Sequence, residues 1–146
     1  VFLMNAFKMN KLIYRENALK NLKSAEYVFY VTYPLVQDPK MLKIVIKKLY
    51  SAILNCMAIL NSGNPELSDT LFAKNGLSLG YLKMIREIKE IMEKQRLAEV
   101  EFCRKGNLVF ASKEYNLDII TNSDIKDYII KTKLLVSHVM QVGILK

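Results

Sequence analysis

The sequence predicts a mainly α-helical fold: an up-and-down bundle of four helices with a β-hairpin inserted before the last. Three observations carry this. Five glycines and three prolines in 146 residues leave few turns, so the elements are long. Apolar residues recur at spacings of three and four over four separate stretches, the period of a helix with one buried face. Between 108 and 120 the period drops to two, the signature of strands.

The first helix is expected from about 10 to 36. Ala18, Leu22, Ala25, Phe29, Thr32 and Val36 mark its buried stripe. From Tyr27 onward, "YVFYVTYPLV" is apolar nearly all round, which calls for burial on every side. One small bundle cannot cover both faces, so a second subunit is expected there, with Tyr27, Tyr30 and Tyr33 at the dimer interface. Pro34 should bend or end this helix. "QDPK" then turns the chain, with Asp38 as N-cap and Pro39 in the first helical position.

The second helix is expected over about 39–61, with Leu42, Val45, Ile46, Leu49, Ile53, Cys56 and Leu60 facing inward. "NSGNP" stops it, and 65–75 has the makings of a short helix. The third is expected over about 78–104, with Leu79, Leu82, Ile85, Ile88 and Met92 inward and alternating charges outward. Gly106 reads as its stop. The hairpin pairs about 108–112 with 115–120, where Tyr115, Leu117 and Ile119 alternate with polar residues. A lone hairpin is marginal in water, so it must be covered by the bundle or by a partner. The last helix is expected over about 124–143, capped by Ser123, with Ile125, Tyr128, Ile129, Thr132, Leu135, Val136 and Val139 inward.

The chain is 51% hydrophobic and 25% charged, a balance that folds rather than stays disordered, and its length suits one domain. No apolar run reaches the ~18–20 residues that cross a bilayer. "VFLMNAFKMNK" lacks the basic start, apolar core and cleavage site of a signal peptide. A start at Met4 or Met9 is expected, leaving 1–9 as a flexible N-terminal extension and 10–146 as the domain. Cys56 and Cys103 fall in helical patterns and read as buried small hydrophobes. Two cysteines and one histidine, far apart, make no zinc site, so a cytoplasmic protein without metal or cofactor is expected.

Net charge is +8, and residues 1–50 hold nine bases against three acids. Lys40, Lys43 and Lys47, spaced i, i+3, i+7, share one helix face that can meet the phosphates of a nucleic acid. The alternative is a solvated face. Most catalytic signatures are absent: there is no GxGxxG, P-loop or GxSxG, and one histidine excludes HExxH.

"KTKLLVSH" at 131–138 holds the single histidine, His138, five residues after Lys133. That spacing separates them by about 140° around a helix, so they cannot converge within one chain. Two copies about a two-fold axis could bring one lysine to the other's histidine. There a histidine serves as general acid or base and a cation holds a phosphate, which suits metal-independent RNA cleavage.

The arrangement resembles the HEPN superfamily, of archaeal or bacterial type. These are small helical bundles whose ribonuclease members carry Arg-x4–6-His on a late helix. The likeness spans the two leading helices, "ENALKNLKSAEYVFYVTYPLVQDPKMLKIVIKKLYSAIL", a less regular middle, and the last helix. Lys133 (Lys131 at the longer spacing) stands where the motif has arginine, and Leu134 where active members often carry a polar residue. Lysine lacks the bidentate fork that grips a phosphate. The resemblance therefore implies a non-catalytic, homodimeric module that binds a nucleotide, RNA or a nucleotidyltransferase-like protein partner. The alternatives are a ribonuclease using His138 with Lys133, and a structural oligomer with no ligand.

Overall fold

Pro34 does not end the first helix; it widens it. The computed structural model describes residues 2–145 apart from 113 and 115, with side chains described over 10–142. Helix α1 is α-helical over Phe2–Tyr27, a π-helix over Val28–Thr32, and α-helical again over Tyr33–Val36. Proline has no N–H, and its ring would press on the carbonyl one turn back. The wider π turn relieves that contact, and Tyr33 N donates to Val28 O across it. The extra residue carries the buried stripe from Ala18, Leu22, Ala25 and Phe29 to Tyr33, and turns Val36 outward. The helix stops at Gln37, left-handed at φ 54°.

The helix starts at Phe2 rather than near 10. The extension expected over 1–9 otherwise lies outside the described side chains. The segment 27–36 is not buried all round: Phe29 and Tyr33 face the core, while Tyr27, Tyr30, Val31, Leu35 and Val36 face solvent.

Helix α2 (Pro39–Leu60) is the central helix, packed by α1 and by the last helix. Asp38 caps it, accepting from Lys40 N at 2.9 Å. Its expected stripe from Leu42 to Cys56 is fully buried, and Ala52 and Met57 are buried with it. A short helix α3 (Asp69–Lys74), capped by Ser68, adds Leu71 and Phe72 to the core.

Helix α4 (Leu79–Leu97) ends seven residues before its expected end. Leu82, Ile85 and Ile88 are buried as expected, but Leu79 is exposed. The residues beyond it form strand β1 (Val100–Arg104), which pairs antiparallel with β2 (Asn107–Ala111). Strand β3 (Leu117–Ile120) completes a three-stranded sheet in the order β1-β2-β3. The expected hairpin is thus part of a meander, and Tyr115 lies outside the described residues. Gly106 is not a helix stop. Lys105 and Gly106, at φ 52° and 80°, form a two-residue turn whose doubly positive φ matches the twist of a hairpin.

Helix α5 (Asn122–Leu145) is capped by Thr121, not Ser123. Thr121 N donates to Asp124 Oδ2 and Asp124 N to Thr121 Oγ1, both at 3.0 Å, a reciprocal capping box. Ile125, Ile129, Thr132, Leu135, Val136 and Val139 are buried as expected, and Tyr128 is half-buried. The protein is mainly helical with one small antiparallel sheet before its last helix.

Candidate binding cleft

Lys133 and His138 lie on α5 and are not brought together within the chain. Lys133 is exposed, and its Nζ lies 3.7 Å from Glu26 Oε2 on α1. Lys131, the alternative partner, pairs with Asp127 at 2.9 Å. His138 is half-buried, between the buried Leu135–Val136 pair and Val139 in sequence.

The lysine stripe on α2 is interrupted. Lys40 and Lys47 are exposed, but Lys43 is half-buried and its Nζ meets Glu101 Oε1 of β1 at 2.9 Å. The middle lysine therefore ties the sheet to α2. Its carboxylate partner lies 58 residues away, and no local pattern signals it.

The tyrosines divide. Tyr27 and Tyr30 are exposed, whereas Tyr33, expected at a dimer interface, is only 7% exposed within one chain. The π turn, by shifting the register, sends Tyr33 inward. Its hydroxyl lies 3.7 Å from Cys103 Sγ and donates a long 3.4 Å bond to Gly106 O. Burial, with Cys103 adding to it, pushes the Tyr33 phenol up to about 12. Cys103 is in a strand rather than a helix and is half-exposed, so it is not the buried residue expected. Cys56 is buried as expected, and burial pushes its thiol up to about 12.

Tyr33 forms the floor of a cleft of about 580 Å³. The π turn and its exit supply Phe29, Tyr30, Pro34 and Gln37. The β1–β2 region supplies Cys103, Lys105 and Gly106, and the start of α5 supplies Asn122. The turn sits close on α5: a Cβ on Gly106 would lie 2.9 Å from Asn122 Nδ2. Phe29 meets Tyr30 edge-on, with centroids 5.0 Å apart and planes at 82°. Sequence patterning missed this cleft because its walls come from three distant segments. "RKGN" between two alternating stretches was the available signal for the turn that brings Lys105 there.

A second feature is the sheet's outer face. Strand alternation and register put Val100, Phe102, Val109, Ala111, Leu117 and Ile119 on one side, with Arg104 and Asn107 at its turn end. Leu108, Phe110 and Ile120 on the other side enter the helical core. Val109 is buried yet stands outside that core, shielded in the middle strand between Phe102 and Ile119. Val100, Phe102, Leu117 and Ile119 are 54%, 39%, 61% and 55% exposed. Among the described residues, no helix covers this face.

An acidic groove runs beside α4, where Lys94 bridges Glu90 at 3.3 Å and Asp118 at 3.1 Å. Tyr128 donates to Glu87 Oε2 there at 3.3 Å. Among the described residues, no group of His, Cys, Asp and Glu could hold a metal ion, and no helix is long and apolar enough to cross a membrane. No protein-family model matches the chain, and no curated protein or solved structure does so either.

Proposed function

We propose that the chain is a non-catalytic, homodimeric interaction module of the HEPN-like kind, an up-and-down helical bundle whose inserted sheet is completed by a second copy. The observation that carries this is the bare outer face of the sheet. Six of its side chains are apolar, four of them more than a third exposed, in two cross-strand rows; the register puts Arg104 and Asn107 in a third row at the turn end. The largest contiguous apolar patch on a folded monomer is often functional. The chain carries +8, which opposes self-association in general, so copies meet most favourably where charges are fewest, as over the two apolar rows away from Arg104. Two such faces can stack as a sheet pair about 10 Å apart. Tyr27, Val31, Leu35 and Val36, exposed on α1, offer further apolar area toward the ~800 Å² per partner of a stable interface.

The absence of chemistry in this reading rests on the motif. Lys133 is drawn toward Glu26, and lysine in place of arginine loses the bidentate grip on a phosphate.

Light scattering at high micromolar concentration tests the dimer. Twice the 16.9 kDa chain mass is expected, reverting to one chain in Phe102→Lys and Ile119→Lys variants. A wild-type monomer sinks the homodimer. Incubation with a mixed RNA pool in EDTA tests the rest: the RNA should survive. Cleavage that falls by about 100-fold or more in a folded His138→Ala variant would establish a ribonuclease instead.

A further inference from the structure

Beyond the dimer face, we propose that the cleft floored by Tyr33 binds a small, flat aromatic anion.

Charge decides the sign. The other clefts described on this molecule carry more carboxylates than bases: Asp69, Glu87 and Glu90 against Lys83 and Arg86 in one, Glu87, Glu90, Asp118 and Asp124 against Lys94 in another, Glu114 and Asp118 against Lys94 in a third. The cleft at the π turn has Lys105 as its charged lining residue and no acid among the described residues. Asn122 adds an amide at the start of α5, where the helix dipole also favours negative charge. A single lysine suits one anionic group. A nucleic-acid strand, with its row of phosphates, would need more cations than this cleft supplies.

Shape and lining decide the rest. About 580 Å³ falls in the range of small-molecule sites, and three aromatic rings line it. Tyr33 is fixed from below by its contacts to Cys103 and Gly106. The Phe29 ring meets Tyr30 at its edge or face in a T-shaped pair, which restrains Tyr30 while it stays 47% exposed. A restrained, half-exposed ring is a stacking surface that costs little entropy to use. Gln37 presents a second amide at the rim. The backbone conformations that place Gln37 and Lys105 are left-handed, so their positions are set by the fold.

The probe is indole-3-acetate, a fused ring with one carboxylate, with indole and acetate as the ringed and charged halves. Calorimetry on the full chain should show one site for indole-3-acetate and none for acetate, with indole weaker. Cys103 supplies an independent readout: its alkylation by N-ethylmaleimide should slow when indole-3-acetate is bound. Lys105→Ala should weaken binding by about tenfold, the loss of one charge-assisted contact. Tyr30→Ala should weaken it also, and both side chains are exposed enough to be removed without unfolding the protein. The Phe102→Lys variant should bind as the wild type does, so loss of the dimer and loss of this site are separable. No binding at millimolar indole-3-acetate, equal binding of indole, or unchanged affinity in Lys105→Ala would overturn the proposal.

Discussion

The Tyr33 hydroxyl lies 3.7 Å from the Cys103 sulfur, joining residues seventy positions apart at the floor of one cleft. Helix α1 and strand β1 touch there because the π turn ahead of Pro34 rotates Tyr33 inward.

The two thiols should therefore behave differently. Cys103 borders an open cleft, whereas Cys56 is fully buried and its thiol is pushed up to about 12. Thiolate is the reactive form, so Cys56 should be inert in the folded protein. Mass spectrometry after brief N-ethylmaleimide treatment should find one label natively and two in denaturant. The native label should vanish in Cys103→Ser. Two native labels would contradict the burial of Cys56.

Alkaline pH should weaken the fold through Tyr33 and Tyr128. Both are pushed up to about 12, first by burial, then by Cys103 for Tyr33 and by Glu87 for Tyr128. An unfolded tyrosine ionises near ~10. A pKa raised on folding means the native state holds its proton more tightly. The associated stability is complete below about pH 10 and is lost as pH rises toward about 12. Lysine ion pairs such as Lys94 with Asp118 also fade there, so the comparison must be with a Tyr33→Phe/Tyr128→Phe variant. The wild-type urea midpoint should fall more steeply than the variant's over that window. Parallel curves would remove the tyrosines as the cause.

Gly106→Ala should destabilise the protein by more than about 1 kcal/mol. Its φ is 80°, and the new Cβ would lie 2.9 Å from Asn122 Nδ2. Adding Asn122→Ala removes the contact but not the backbone strain, so it should restore only part of the loss in a urea titration. Full restoration would place the whole cost in the contact.

Core truncation should separate the faces of the helices. Leu49 is fully buried on α2, and Leu49→Ala should cost about 2–5 kcal/mol. Leu134 is exposed on α5, and Leu134→Ala should stay within about 0.5 kcal/mol. Chemical denaturation checks both, and a large loss at Leu134 would mean that this face is covered.

Much of the fold was legible because it rests on local rules. The stripe from Leu42 to Cys56 on α2, the cap at Asp38 and the buried face of α5 follow from spacing and from unsatisfied N–H groups at a helix start. The breaks at Pro34 and Gly106 were also visible, but not what they do. Pro34 could end a helix or widen it, and the choice depends on whether Tyr33 gains more by burial than the wider turn costs. Gly106 could stop a helix or close a hairpin. The alternation Val100, Phe102, Arg104 decides for the hairpin, yet it is too short to outweigh the long helical pattern before it.

The sequence alone determined the helical class, the central helix and the motif around His138, because periodicity and capping act within a few residues. Only the tertiary structure decided which side chains share a site. Lys43 reaches Glu101, Lys133 reaches Glu26, and Tyr33 reaches Cys103, each across a separation no local pattern encodes. The bare sheet face was hidden for the same reason. Alternation tells that a strand has two faces, but which face is covered depends on where the helices pack.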